Sequence, residues 1–511
     1  MRYRIALLLV CFLPIFCPAQ PKTDITPQRV NAALAQLDPY IRSTMDKTKV
    51  PGVAVAVIYN DQVVFLRGYG VRKVGEAAKV DPDTVFELAS VSKPLASTVL
   101  ASLVGQGKIS WDDKIADLEP GFQLSSPETT REVTIRDFLS HRSGLATESG
   151  DFLEMLGYSR PQILYRMRYL PLPGTFRKTY AYSNFGYTTA GIAAATKIGK
   201  PWEVLAEEQL YAPLGMTSTS SRFSDYENRP NKAALHIFLN GQPVNRFVRD
   251  ADAESPAGGA SSSARDLAQW VRLQIDGGRW NGQQLINANA LAETHKPQIC
   301  RVPPDPQKSN ECPGGQNYGL GWNVGSTPDG HLEISHSGAF FLGASTAVYI
   351  IPEERIGVLA LTNSMPVGLP EAICLTFLDY LHSGKQQRDY LQLVGHVMSQ
   401  MMADTQTNYA TLPLPKTPTA AKPLTGYVGT YTNEYFGTLE VSVQNDRLIL
   451  RLPPRGTYYE LSHWDADTFT YYFSGEDSGM GRRGAKFFPD KNQVLIENLA
   501  PEHNAVFTRI Q

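Results

Sequence analysis

The spacing of apolar and polar positions divides the chain into three stretches. Behind a Thr26-Pro27 start, "TPQRVNAALAQLDPYIRSTM" repeats apolar residues at helical intervals. "GVAVAVIYNDQVVFLRGYGV" then predicts two strands around a Tyr59-Asn60-Asp61-Gln62 turn. "VFELASVSKPLASTVLASLVGQGKIS", residues 85–110, predicts an apolar-periodic helix with Ser90 and Lys93 at its head. From about 110 to 320 short helical patterns are broken by Gly and Pro, without sustained alternation. Three strand-like runs follow, "HLEISHSGAF", "ASTAVYIIP" and "RIGVLALTN", and the helical "PEAICLTFLDYLHSG" closes the unit. Strands at both ends with helices between them predict an α/β (α+β) fold. Its antiparallel sheet is formed from both chain ends of the domain, with an inserted helical region. Residues 401–422 are Pro/Thr/Ala-rich and read as a semi-rigid linker. Beyond them, short alternating runs and an Asn445-Asp446 hairpin turn predict a separate small C-terminal all-β domain over 423–511, a sandwich or barrel.

Composition changes this picture at the edges. A chain of 511 residues is too long for one core. A formal charge of −2 with no runs of like charge gives no reason to expect nucleic acid as a partner. The N-terminus sets a basic "MRYR" before an apolar "IALLLVCFLPIF", with small residues Cys17 and Ala19 placed for cleavage. The apolar run is too short to span a bilayer comfortably. Residues 1–19 therefore read as a secretory signal and 20–400 as the main domain of a periplasmic or secreted protein, with no membrane span after cleavage. Export permits disulfides. Cys300 and Cys312 bracket "CRVPPDPQKSNEC", where a local disulfide is favoured over two free thiols; closing so short a loop contributes about 3 kcal/mol in the chain-entropy model. Cys374, in an amphipathic pattern, reads as a buried free thiol.

The candidate chemistry starts at Ser90 and Lys93, whose i, i+3 spacing puts both on one helix face. A Ser-x-x-Lys pair turns up about once by chance in such a chain, so it needs company. Acyl transfer requires a nucleophile, a base, a proton donor for the leaving atom and donors for the oxyanion. "YAYSNFGY" offers Tyr182 to share proton transfer and Asn184 to hold a substrate carbonyl. The same Tyr-x-Asn pattern recurs at Tyr226 and Tyr431, in a polar run and in the β domain. "HSGAFFLGAS" offers His336, Ser337 and Gly338 on a strand edge where glycine allows close approach; a second His-Ser-Gly at 382–384 ends a helix and reads as a cap. In "DGHLEISH" strand geometry splits His331 and Glu333 from His336, so no metal and no other cofactor is assigned.

Order and context then multiply. The chain resembles the serine β-lactamase and penicillin-binding protein superfamily, specifically its class C-like branch of β-lactamase-related serine hydrolases, over about residues 25–385. The resemblance runs through "FELASVSKPLASTVLASLVGQGKISWDDKI", "TIRDFLSHRSGL", "PGTF" with "YSNFGYTTAGIAAA", "LYAPLGMTST", "SPAGGASSSARDLAQW", "YGLGW" and "HSGAFFLGASTAVYIIPEERIGVLALTNS". It implies Ser90 as the acylated nucleophile, Lys93 and Tyr182 sharing the base role, and Asn184 orienting the scissile group. It also implies an oxyanion hole from the backbone N–H groups of Ser90 and Ala339, with a packing role for Gly258 and Gly259. Where many members carry Lys-Thr-Gly, this chain carries His336-Ser337-Gly338, so a permanent cation for a substrate carboxylate is missing. That departure points to an exported hydrolase of the esterase-like or aminopeptidase-like kind. Its substrates would be small esters or peptide-like amides, D-amino-acid-containing ones among them. The rival reading is a slow or inactive module that recognises cell-wall peptides. The β domain resembles the small domains appended to some such hydrolases and is expected to narrow access to the cleft. Oligomeric state stays open.

Overall fold

The computed structural model describes residues 25–303, 312–404, 408–473, 481–497 and 505–511. The expected signal segment, 1–19, lies outside the described residues. Helix α1 (Pro27–Thr48) starts as its sequence predicts: the Thr26 side chain accepts from the Arg29 N–H and Pro27 occupies the first turn. Strands β1 (Gly52–Tyr59) and β2 (Gln62–Gly70) follow around Asn60 and Asp61, both at positive φ, as a tight hairpin turn requires. Much later in the chain come β3 (Ile299–Cys300), β4 (Asn317–Tyr318), β5 (Asn323–Ser326), β6 (Leu332–Phe340), β7 (Ala344–Ile351) and β8 (Ile356–Thr362). These form one antiparallel sheet in the order β2-β1-β8-β7-β6-β5-β4-β3, so the two ends of the domain meet at the β1–β8 pair.

Both faces of this sheet are covered, and the alternation along β1 sorts its side chains between two cores. Val53, Val55 and Val57 face α1 and the late helix α6 (Leu369–Ser383), while Ala54, Ala56 and Ile58 face the helical region inserted between β2 and β3. Every residue of β1 and β8 is buried, which explains their continuous apolar runs. Each fully buried Val, Leu or Ile contributes about 1.5–3 kcal/mol. The inserted region carries α2 (Ser92–Gly105), α3 (Asp151–Leu156), α4 (Asn184–Ile198) and α5 (Ala264–Ile275). Cys300 and Cys312 are joined by a disulfide, with Cα atoms 5.4 Å apart, and Cys374 is a buried free thiol. Helix α7 (Tyr390–Asp404) runs into the stretch whose composition predicts a linker. It is held by one buried face, with Tyr390, Val394 and Val397 turned inward. Among the described residues no helix is long and apolar enough to cross a membrane.

The C-terminal domain is a closed eight-stranded antiparallel barrel, from β9 (Gly429–Asn433) and β10 (Gly437–Gln444) through to β16 (Val506–Arg509), which pairs back onto β9. Closure removes the free edges a sandwich would leave. Its interior is filled by side chains such as Leu439, Leu450, Phe469, Tyr471 and Phe487, so those aromatics are core rather than a ligand cleft. The barrel is seated on the inserted helical region. The turn between β9 and β10 reaches across, and the Tyr158 hydroxyl donates to the Phe436 carbonyl (2.6 Å). The Arg166 guanidinium donates to the carbonyls of Glu434 (2.8 Å) and Tyr435 (3.0 Å).

A buried carboxylate held by two histidines ties the far end of the sheet together. Glu354, between β7 and β8, lies 2.9 Å from His331 Nδ1 before β6 and 2.6 Å from His382 Nε2 at the end of α6. Burial alone would raise its carboxyl pKa, but the hydrogen bonds from His382 and His331 win and hold it below the usual glutamate value. A folded-state pKa held down contributes stability that is present above the unfolded value near 4.5 and lost as pH falls through the folded one. Glu354→Gln should therefore cost about 1–3 kcal/mol near pH 7, as for other buried hydrogen bonds to charged groups. Thermal unfolding should show the gap between variant and parent shrinking below pH 4.5.

Candidate active site

The nucleophile candidate sits on a strained turn rather than in a helix. Ser90 lies in the 3-10 turn Ala89–Val91, and α2 begins only at Ser92. Ala89 has φ 47°, a left-handed conformation that costs a non-glycine residue about 1 kcal/mol or more. The surroundings hold it there. The Leu88 N–H donates to the Ala260 carbonyl (2.9 Å), Thr346 Oγ1 on β7 donates to the Leu88 carbonyl (2.7 Å), and the Ala260 N–H donates to Ser92 Oγ (2.9 Å).

Lys93 is fully buried on the first turn of α2. Its Nζ lies 3.2 Å from Ser90 Oγ, 2.7 Å from Asn184 Oδ1 and 3.1 Å from the Ala257 carbonyl. Burial brings its pKa down to about 7, although the nearby acidic groups of Glu254 and Asp151 pull the other way. The Tyr182 hydroxyl donates to Ser90 Oγ at 2.7 Å, and its ring stacks under the lysine with Nζ 4.5 Å from the centroid. Burial pushes the Tyr182 phenol well above 10, only partly offset by the bond to Ser90. Asn184 opens α4, capped by Ser183, and its Nδ2 donates to Asp151 Oδ2 at 3.0 Å. Ser90, Lys93, Tyr182 and Asn184 thus meet at one point. The two decoys do not join them: the Tyr226 hydroxyl donates to the Ala233 carbonyl, and Tyr431 donates to the Tyr427 carbonyl inside the barrel.

Gly338 shows why no side chain is tolerated at the facing strand. A Cβ there would lie 2.1 Å from the Leu88 carbonyl oxygen and 3.0 Å from the Ser90 nitrogen. The backbone of β6 therefore lies against the nucleophile turn. The partner strand β5 pairs with β6 only as far as Ser335, so among the described residues, 336–340 keep one unpaired edge. Such an edge can pair with an extended substrate backbone.

Two neighbours of Gly338 depart from the role the sequence suggests for them. Ser337 points to the opposite face of the strand, toward the buried Glu371 on α6, because side chains alternate and Gly338 takes the cleft side. His336 is buried, with Nδ1 2.7 Å from the Ser337 carbonyl and Nε2 3.0 Å from the Tyr318 hydroxyl. A carbonyl can only accept, so Nδ1 carries the proton and Nε2 accepts from Tyr318. Burial and the nearby Lys93 take its pKa down to about 3. The imidazole is a neutral, fully occupied group, not a cation waiting for a carboxylate. Gly258 and Gly259 act in packing: a Cβ on Gly258 would meet the Glu254 carboxylate at 2.7 Å, and one on Gly259 the Ala251 carbonyl at 2.7 Å.

Sequence reasoning misses several members of this site. His141, at φ 57°, packs its ring 4.4 Å from that of Tyr182 and accepts from the Ser183 N–H through Nδ1. Tyr180 and Tyr318 complete an aromatic wall around it, and burial keeps the histidine pKa well below 6.5. Their signal lies in the blocks "SHRSGL", "YAYSNFGY" and "YGLGW", where position alone gives these residues no role. Asp151 has no motif at all. Its carboxyl is pushed well up by burial and by the neighbouring Glu254, Glu148 and Glu154. Among the described residues no group of His, Cys, Asp and Glu is placed to hold a metal ion.

Comparison with known proteins agrees with this fold. The beta-lactamase family model matches residues 37–377, and a domain of unknown function (DUF3471) matches residues 414–493. The chain is 27% identical over 425 residues to the unguisins hydrolase ungD of Aspergillus violaceofuscus, covering 77% of this chain and 74% of that protein. It is 22% identical over 346 residues to protein flp of Staphylococcus aureus, covering 67% and 66%. The octameric penicillin-binding protein homologue from Pyrococcus abyssi shares its fold, with a TM-score of 0.58 at 20% identity over 93% of this chain and 99% of that one. With its Ser-Lys-Tyr cluster on a sheet of this topology and a family match over most of its length, the chain belongs to the beta-lactamase family of serine hydrolases.

Proposed function

We propose that this protein is an exported serine hydrolase that cleaves ester or amide bonds of small or peptide-like substrates, D-amino-acid-containing ones among them, through an acyl-enzyme on Ser90. One observation carries the reading. A neutral lysine amine has two N–H bonds and one lone pair. The Asn184 and Ala257 carbonyl oxygens can only accept, so together they take both N–H bonds of Lys93 and leave its lone pair for the Ser90 hydroxyl proton. A pKa near 7 makes that neutral form available at ordinary pH.

The steps follow. Ser90 Oγ attacks the substrate carbonyl carbon while its proton passes to Lys93, and the oxyanion is met by the N–H groups of Ser90 and Ala339. Collapse breaks the bond to the leaving group, which takes a proton through Tyr182, itself restored by the ammonium of Lys93. A phenol held this far above 10 stays protonated and suits a relay better than a base. Water then attacks the acyl-enzyme by the same route and frees the acid and Ser90. The neutral, occupied His336 favours substrates that do not depend on a carboxylate for binding. Export rests on the N-terminal pattern of residues 1–19 and is consistent with the Cys300–Cys312 disulfide.

The chain from residue 20 onward should hydrolyse a short-chain p-nitrophenyl ester and a D-alanyl p-nitroanilide faster than a cephalosporin. Ser90→Ala should lose at least about 10³-fold in kcat, and turnover that survives this change would overturn the mechanism. Its kcat/KM should rise with pH and level off above about 7, because the base works deprotonated; a flat profile from pH 5.5 to 8 would remove Lys93 from that role. Gly338→Ala should cut kcat by about 10²-fold, the scale of losing one oxyanion donor, with thermal unfolding confirming an intact fold.

A further inference from the structure

Among its contacts with the catalytic domain, the barrel reaches the loop that holds Asp151. In the turn after β9, Asn433 Oδ1 accepts from the N–H groups of both Tyr435 and Phe436 (2.9 Å each), while Asn433 Nδ2 donates to the Val506 carbonyl (2.9 Å). Arg166 holds the carbonyls of the same turn from the other side, and Tyr435 and Phe436 are completely buried. At its tip the Tyr435 hydroxyl accepts a hydrogen bond from the Gly150 N–H at 3.1 Å.

Gly150 has φ 96° and lies directly before α3, with no side-chain cap of its own. A Cβ there would lie 2.8 Å from the ring of Phe185, the residue after Asn184, so only glycine lets this loop lie so close to the start of α4. Two further bonds hold the loop: the Glu148 N–H donates to the Tyr182 carbonyl (2.9 Å), and Ser183 Oγ donates to the Ser149 carbonyl (3.4 Å). The next residue, Asp151, accepts from Asn184 Nδ2. That bond decides which way the amide faces. Flipped, Asn184 would turn its NH₂, which cannot accept, toward Lys93 Nζ. The lysine would lose an acceptor, and its lone pair would no longer be directed at Ser90.

We propose that the barrel is a working part of the catalytic centre: Tyr435 holds Gly150 and Asp151 in place, Asp151 fixes the Asn184 amide, and Asn184 orients the Lys93 amine toward Ser90. Tyr435 and Asp151 are positioning residues that never touch substrate. The proposal rests on the Ser90–Lys93 mechanism above, and it differs from a barrel that merely narrows the cleft, because it slows reaction with small substrates too.

The test uses the full chain and reads the rate at which a small alkyl fluorophosphonate labels Ser90, followed by intact mass, beside kcat and KM for a p-nitrophenyl ester. Tyr435→Phe removes one hydroxyl and should slow labelling and kcat about 5–10-fold, with KM within about twofold of the parent. Asp151→Leu should slow both about 100-fold, and Asp151→Asn, which keeps an oxygen acceptor, should recover most of that loss. In a double-mutant cycle, adding Tyr435→Phe to Asp151→Leu should slow the reaction by no more than about twofold further, since both act through one path. Tyr158→Phe, which loosens the same interface without touching Gly150, should label at the parent rate. Overturning results are Tyr435→Phe within twofold of the parent, losses that multiply in the double variant, or an equal loss in Tyr158→Phe. A parent chain that is not labelled at Ser90 would overturn the hydrolase mechanism itself, and a labelled parent with unaffected Tyr435→Phe only the coupling.

Discussion

A buried primary amine, Lys93, sets the terms for the catalytic domain. Taking an ammonium out of water is costly, and the protein meets that cost by letting the amine sit near neutrality and by giving it fixed acceptors. Those acceptors come from residues 91 and 164 positions away along the chain. Asn184 begins one helix, Ala257 belongs to the loop before a short strand at Ser261–Ser263, and Lys93 opens another helix. The inserted helical region has to pack so that these three points agree to within a few tenths of an ångström. The rings of Tyr182 and Tyr187, 4.5 and 5.8 Å from the amine, help bury it and so keep its pKa down.

The sheet supplies the complementary surface. Because β1 and β8 are buried on both faces, the sheet cannot shift without disturbing two cores at once. Beside the nucleophile turn, residues 336–340 of β6 are left unpaired on one side by the described strands, and Gly338 lets that stretch close on the Ser90 turn. The Thr346–Leu88 hydrogen bond fixes the strained nucleophile turn to the neighbouring strand. A stiff sheet on one side, a packed helical insert on the other and a barrel seated on the insert place the reacting groups from three directions.

Much of this site can be read from the chain because its chemistry is locally encoded. Ser90 and Lys93 are one helical turn apart, Tyr182 and Asn184 are two residues apart, and a glycine on a strand has few other uses. His336 and Ser337 could not be read in the same way. Their neighbours in sequence do not say which face of β6 is buried, nor that Tyr318 would occupy the imidazole and burial would drive its pKa to about 3. Asp151 and Tyr435 are invisible to any motif, since an acid at the start of a short helix and a tyrosine in a β-turn are commonplace. The 3-10 turn that displaces Ser90 from α2 follows from a positive φ at Ala89, a residue whose own preferences argue against it.

By itself the sequence determined the helix and strands at the two ends of the catalytic domain, that those ends share one sheet, that an all-β domain follows, and which residues are nucleophile and base candidates. These depend on periodicity and short spacings, and both are properties of a few consecutive residues. Only the tertiary structure decided that the barrel closes rather than forming a sandwich, that Ser337 turns away from the cleft, and that Tyr435 reaches Gly150 from 285 residues away. Burial, electrostatic environment and long-range hydrogen bonds are set by what packs against a residue, and no local pattern records that.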